Sequence, residues 1–383
     1  MRKNIFLIIL LISSALTFVG CSNSSKSNAS NGDNNEGSIN LPSLMTWSVY
    51  DVGASGYAEM SAIADMLTEQ YNTNIRLIPS ATGVGRMTVL RDGQASIGKL
   101  GDESQFAFEG REEYADLAWG PQNLRAVWSP ISQYGFGVRE EDGIESIEDL
   151  KGKKIPYFPG NSSVNVKTEA MLAFGDLTWD DVEVVELTTY AGQGAALAQG
   201  QIDAVSGIPS SSTFYETDSK SKIDWINMNP NDDEGWSRVE EVAPWLFPES
   251  RDDGAGMEGE TPLMGYGYSI VSYADAENIK SLLEAMDENF DQFKDAVPGA
   301  SLYAKEKVLT EPRGLPFHEE TVEFFKENGM WSEEKQAKND ELIERSNRLA
   351  EAWEKVVAEA KDKGISDEKF AEYWLERKSE LVK

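Results

Sequence analysis

Apolar and polar residues alternate along Met45-Thr-Trp-Ser-Val-Tyr50, and the next apolar positions, Met60, Ile63, Ala64 and Leu67, recur at three- and four-residue steps. The first pattern is that of a half-buried strand and the second that of the buried face of a helix over 57–71, with the turn Gly53-Ala-Ser-Gly56 between them. The unit then repeats. Asn74–Pro79 reads as a strand, Ala81-Thr-Gly-Val-Gly-Arg86 as a second glycine turn, and the residues to Arg91 as a helix. Two strand–glycine turn–helix units in succession predict a parallel sheet with crossover helices, in which ligands bind beyond the carboxyl ends of the strands.

Further along, Ile97–Leu100 reads as a strand followed by an acidic loop, and Leu124–Arg139 as one extended stretch that crosses between lobes. The βα pattern restarts with a strand at Lys154–Phe158, the turn Gly160-Asn-Ser-Ser163 and a helix to Phe174. A strand at 181–187, a helix at 192–199 and a strand at 202–206 continue it, and an acidic, Gly- and Pro-punctuated stretch covers 229–262. Gly265–Tyr273 reads as the strand that returns the chain to the first lobe. Helical patterns at 276–293, 319–327 and 332–363 complete the chain. In the last, Leu342, Leu349, Trp353 and Val356 form an amphipathic stripe, which either packs on its own lobe or offers a dimer face to an otherwise monomeric protein.

The expected domains are a leader at 1–20, a flexible tether at 21–41, a first lobe from 42–138 and 266–383, and a second lobe from 139–265. The ~340 residues beyond the tether exceed what one hydrophobic core organises, which also argues for two lobes. The leader combines Arg2 and Lys3 with an apolar run from Ile5 to Leu11, and is too short to span a membrane. Phe18-Val-Gly-Cys21 resembles a bacterial lipobox, so Cys21 is the expected lipidation site and the protein is expected outside the cytoplasm, anchored to the cell membrane on its periplasmic side or outer surface. The Ser- and Asn-rich residues after Cys21 have little to bury and form a tether reaching about 20–25 Å on average.

The formal charge of −31 repels nucleic acid and anionic lipid alike, so neither is an expected partner. One cysteine and one histidine leave no material for a disulfide or a Cys/His metal cluster, and His318, between Pro316-Phe317 and Glu319-Glu320, reads as a structural residue where a helix begins. No phosphate-cradling loop, nucleophile elbow or dinucleotide fingerprint is present, and no cofactor is expected. The remaining polar candidates are turn residues at helix starts: Ser55 and Tyr57; Thr82, Gly83 and Arg86; Asn161, Ser162 and Ser163. Helix N-termini present unpaired N–H groups that favour carboxylate or phosphate, although ordinary capping accounts for each residue singly. Arg86, beside a glycine-rich turn, is suited either to clamp a ligand carboxylate or to form a surface ion pair.

In order and spacing these features resemble the TAXI solute receptors of tripartite ATP-independent periplasmic (TRAP) transporters. The resemblance runs from about Trp47 to Gly329. It rests on the glycine turn with Tyr57, on Thr82–Gly93 followed by Ala95-Ser-Ile-Gly98, and on Ile147-Glu-Asp-Leu-Lys-Gly-Lys-Lys154. Gly160-Asn-Ser-Ser163, Trp179-Asp-Asp-Val182, Gly200-Gln-Ile-Asp-Ala204 and Leu315-Pro-Phe-His318 keep the same spacing. It implies a type II periplasmic-binding-protein fold of hinge-linked parallel-sheet α/β lobes, a non-enzymatic role, and delivery of a small organic anion, a dicarboxylate or an amino-acid-like solute, to an ion-driven TRAP membrane carrier. Carried over by position, the cleft residues are Ser55, Tyr57, Thr82, Gly83, Arg86, Ser162 and Ser163, with Gln105, Tyr190 and Gln193 as weaker additions. Where the family's turn has a Gly-Ser pair and a later Asn, this chain has Thr82-Gly83 and Arg86, which favours a more anionic solute. A carboxylate-dependent lipoprotein enzyme and a lipid-anchored sensory or interaction protein are the alternatives the same fold allows.

Overall fold

The computed structural model describes residues 39–382. The leader, Cys21 and the tether up to residue 38 lie outside the described residues; Ile39 and Leu41, at the tether's end, already pack on the first core.

The first lobe begins with β1 (Leu44–Tyr50), α1 (Ser55–Tyr71), β2 (Asn74–Ser80), α2 (Gly83–Arg91), β3 (Ile97–Leu100), α3 (Glu103–Glu109) and β4 (Leu124–Trp128). The second lobe comprises β5 (Ile131–Arg139), β6 (Lys154–Tyr157), α4 (Ser162–Phe174), β7 (Glu183–Glu186), α5 (Gln193–Ala198), β8 (Ala204–Gly207), α6 (Ser212–Asp218), β9 (Ile223–Trp225), α7 (Asp233–Val242), β10 (Phe247–Arg251) and β11 (Thr261–Gly267). The chain returns through β12 (Ser269–Tyr273) to α8 (Ile279–Glu288), α9 (Phe290–Phe293), α10 (Glu319–Glu327), α11 (Glu333–Lys363) and α12 (Asp367–Leu381).

The first sheet has the order β2-β1-β3-β12-β4, with β1 parallel to β2 and β3, and β12 antiparallel to β3 and β4. The second runs β10-β11-β5-β8 with β9 also on β5, all antiparallel, beside a parallel β6-β7 pair. This is the two-lobed α/β architecture expected of a periplasmic-binding-protein-like chain, with one mixed sheet, one antiparallel sheet and a parallel pair in place of wholly parallel sheets. Trp47, Ile63, Leu67, Phe106 and Ile270 centre one core, Phe136, Ile155, Met171 and Met264 a second, and Leu197, Val205, Phe214 and Leu263 a smaller third.

Four expectations change. Leu124–Arg139 is two strands in different sheets, because Pro130 has no N–H to continue a ladder. The return strand likewise breaks at Tyr268, whose amide donates to the Pro130 carbonyl at 2.9 Å, so the two crossings are tied together. The acidic loop after β3 contains α3, and the 229–262 stretch contains α7 and β10. In α7 the Asp232 carboxylate accepts from the Gly235 amide at 2.9 Å, a cap that starts the helix despite its glycine. Of the α11 stripe, Leu349 and Val356 are fully buried in the first core and Leu342 and Trp353 are half-buried, while Trp374 of α12 donates to the Gly110 carbonyl. His318 caps α10 by accepting from the Glu320 amide at 3.2 Å. Among the described residues no helix is long and apolar enough to cross a membrane.

Candidate functional site

A small cavity of about 30 Å³, partly open to solvent, lies between the lobes. Its position follows from the connectivity. Tyr50 and Asp51 end β1, Ala54 and Ser55 begin α1, Asn161, Ser163 and Lys167 come from the start of α4, and Tyr266 and Tyr268 mark the returning crossing. The N-termini of α1 and α4, one from each lobe, thus converge on one space, and the first turn of each helix carries N–H groups with no intrahelical partner. Two buried side-chain atoms in the wall also lack a partner among the described residues: Ser55 Oγ and Asn161 Oδ1.

Tyr50, Tyr134, Tyr190, Tyr266 and Tyr268 form most of the aromatic wall. Burial raises all five phenols above their ordinary value, that of Tyr190 to about 12, so the wall stays uncharged. Gly56 is required here: a Cβ on it would lie 2.0 Å from the Tyr268 hydroxyl, which seats that ring over the first turn of α1.

The lobes are closed on one another. Asp102 forms a 2.8 Å ion pair with Lys167 across the cleft, and its amide donates to Ser163 Oγ at 3.1 Å. The Ser162 amide and hydroxyl donate to the Glu113 carboxylate at 3.1 and 2.6 Å, and Ser212 Oγ donates to the Gly53 carbonyl at 2.9 Å. Gly101 makes the close approach possible, since a Cβ there would sit 2.9 Å from Ser163 Oγ.

Ser55, Asn161, Ser163 and Tyr190 of the sequence-derived candidates line the cavity, and the rest do not. Arg86 requires the largest correction. It is fully buried, and its guanidinium donates twice to Glu103 (2.6 and 3.2 Å) and once to the Ser80 carbonyl (2.8 Å), 3.7 Å from the centroid of the Tyr50 ring. A carboxylate seventeen positions away occupies the place foreseen for the ligand's. Burial pushes the Glu103 carboxyl up, but Arg86 outweighs it and holds the group at about 2.

Thr82 accepts from the Gly85 amide as the cap of α2, and Gly83 packs under Glu103. Ser162 is taken by Glu113, and Tyr57 lines a separate groove along α1. Gln105 lines a pocket beside the crossings with Ser129 and Ser269. Gln193 is buried away from the cavity, its side-chain carbonyl accepting from the Ser206 amide at 2.8 Å. Sequence reasoning missed Tyr50, Lys167, Tyr266 and Tyr268. Two signals could have found the first two: Tyr50 ends a strand at its carboxyl edge, and Lys167 lies four residues after Ser163 on one helix face.

A third buried cation, Lys99, donates to the Tyr268 carbonyl at 2.6 Å and lies 3.6 Å from Glu59. Burial lowers its ammonium to about 8 against the opposing pull of Glu59, whereas an unfolded lysine keeps its ordinary value of 10.5. Between those values the unfolded chain binds more protons, so the stability contributed at this position grows as pH rises from about 8 toward 10.5. Melting curves at about pH 7.5 and pH 9.5 should show a rise in the parent protein that Lys99→Met lacks; an identical pH response in both contradicts the assignment.

The cavity residues from Asp51 to Tyr268 fall inside a longer matched region: residues 51–329 match the model of the NMT1-like family, and the chain belongs to that family. The match ends before α11 and α12. No curated protein matches the sequence. Among solved structures, the periplasmic aliphatic sulphonate binding protein SsuA from Escherichia coli is similar at 15% identity and TM-score 0.41, over 76% of this chain and 89% of that one. PhnD1 from Prochlorococcus marinus, in complex with methylphosphonate, is similar at 11% identity and TM-score 0.44, over 76% and 100%. The amino acid transporter substrate-binding protein AbpA from Streptococcus pneumoniae, bound to L-arginine, is similar at 14% identity and TM-score 0.39, over 80% and 95%.

Proposed function

We propose that the chain is an extracytoplasmic solute-binding receptor that closes its two lobes on a small organic anion and presents it to a membrane carrier. The observation that carries this reading is the convergence of the α1 and α4 N-termini, from opposite lobes, on one cavity whose wall holds a buried hydroxyl, Ser55 Oγ, with no partner among the described residues. Helix N-termini favour negative charge; that of α4 is already met by Glu113, which leaves the α1 end to the solute, and a solute touching both lobes stabilises the closed arrangement through its differential affinity for it. The reading requires no chemistry on the solute. The TAXI resemblance supports an ion-driven TRAP system as the carrier, and a lipid on Cys21 would hold the receptor beside it at high local concentration. With Arg86 engaged by Glu103, the argument for a dicarboxylate loses its second anchor, and the amino-acid-like alternative gains.

The test is titration calorimetry of the parent protein and Ser55→Ala with the carboxylate that co-purifies, identified by mass spectrometry. A hydrogen bond from Ser55 to a carboxylate predicts about ten- to hundredfold weaker binding in the variant. Unchanged affinity removes the α1 terminus from the site.

A further inference from the structure

We infer that the first lobe holds a second small-molecule site, in the pocket between β4, α10 and α11, and that it takes a small zwitterion, its carboxylate seated inward on Arg125 and its ammonium at a rim of carboxylates. The pocket, of about 640 Å³, shares no lining residue with the interlobe cavity. Half of its wall is α11, which supplies Gln336, Asn339 and Asp340 and lies beyond the region matched to the family.

Arg125 is 8% exposed, and its guanidinium, with five N–H groups, makes one hydrogen bond, to the Leu124 carbonyl at 2.8 Å, and no ion pair among the described residues. Burial lowers it with no carboxylate pulling it back, in contrast to Arg86 beside Glu103. A cation so far removed from water calls for an anion. Its neighbours supply none. Ser272, its register partner on β12, and His318, next to the Ala126–Phe317 bridge, share its face of the sheet edge, and Ser272 Oγ and His318 Nε2 are themselves buried without a partner among the described residues. His318 Nδ1 accepts the Glu320 amide, so Nε2 bears the proton; the Ala274 carbonyl favours the protonated ring without meeting hydrogen-bond geometry to it. Asn339 spends its Oδ1 on the Phe317 amide at 2.6 Å, which leaves its own N–H groups to the pocket. The inner wall is therefore rich in donors and short of acceptors.

Depth separates the charges of the pocket. Arg125 and Asn339 are buried at its floor, whereas Glu319, Glu323 and Asp340 are exposed at its rim, with Lys326 as the rim's one cation. Glu320, half-buried between them, is taken by the Lys280 amide at 2.7 Å. A simple anion would meet three rim carboxylates against one lysine on its way to Arg125. A molecule with a carboxylate at one end and an ammonium at the other satisfies floor and rim together.

Ligand-observed NMR titrations of 4-aminobutanoate and 6-aminohexanoate, with hexanoate and hexylammonium as single-charge controls, test this on the parent protein, Arg125→Gln, Glu319→Lys and Ser55→Ala. At least one zwitterion should bind the parent about tenfold or more tightly than either control. Arg125→Gln should weaken that binding at least about tenfold without lowering the urea midpoint, because the substitution removes a buried charge that has no counter-ion. Glu319→Lys, at an exposed position, should weaken the zwitterion and strengthen hexanoate, and Ser55→Ala should change neither. Parental zwitterion affinity in Arg125→Gln or Glu319→Lys, hexanoate binding the parent as tightly as the better zwitterion, or no binding by either zwitterion overturns the inference. Loss of zwitterion binding in Ser55→Ala also overturns it, by moving the solute to the interlobe cavity.

Discussion

Arg86→Ala is expected to lower the free energy of unfolding by about 3–5 kcal/mol, and to do so whether or not solute is present. The guanidinium is fully buried and neutralises Glu103, whose side chain is 2% exposed, so its loss strands a carboxylate in the interior of the first lobe. The pair also organises the cavity wall: Tyr50 donates to Glu103 at 2.8 Å and its ring stacks on Arg86. Replacing both partners, as Arg86→Met with Glu103→Leu, removes the stranded charge and should recover most of the stability, since exchanging a buried ion pair for packed apolar groups is often close to neutral. Urea unfolding of the parent, single and double variants makes the comparison. A single variant as stable as the parent would show that Glu103 is solvated after all.

Acid titration reads the same contact. The folded carboxyl of Glu103 sits at about 2 and the unfolded one at its ordinary 4.5. Its contribution to stability is therefore complete above pH 4.5 and lost as pH falls through about 2.

Lys167→Met should have an effect of similar size on a different equilibrium. Lys167 is on α4 and Asp102 precedes α3, so their ion pair exists only while the lobes are closed. In an open form Asp102 would meet water, and the cost of an unpaired buried carboxylate falls on closure, leaving the lobes folded. Solute affinity should drop by about a hundredfold, with the urea midpoint nearly unchanged, because solute must then draw its closed state from a smaller population. Burial already raises the Asp102 carboxyl against the pull of Lys167, so in the variant it takes up a proton more readily, and part of the affinity should return as pH is lowered. A variant with parental affinity would remove the pair from closure; one that unfolds far more easily would make it a contact of folding.

These two arginine and lysine positions show what the sequence could and could not convey. Strands followed by glycine turns placed α1, α2 and α4, with apolar three- and four-residue spacing added for α1, and with them Ser55, Asn161 and Ser163, because each is set by its own neighbours. Tyr190 followed from the family spacing. Arg86 carried the right signal for its surroundings and the wrong one for its partner: the carboxylate that meets it lies on α3, within a segment whose acidic composition reads as loop. The left-handed C-cap at Gly110 and the burial of Phe106, Ala107 and Phe108 make that segment helical, and burial depends on the packing of the whole lobe. Tyr266 and Tyr268 escaped notice for a similar reason. In isolation they are alternate aromatic residues on one face of a β run, and only the crossing between lobes places that face on the cavity.

A crystal structure of the protein grown with its co-purifying solute tests the central claim most directly. The claim predicts solute density enclosed between the first turns of α1 and α4, with a carboxylate within hydrogen-bond distance of Ser55 Oγ and the tyrosine rings around its body. Solute bound outside that cavity, or held in it by a group other than a carboxylate at the α1 terminus, would contradict the claim.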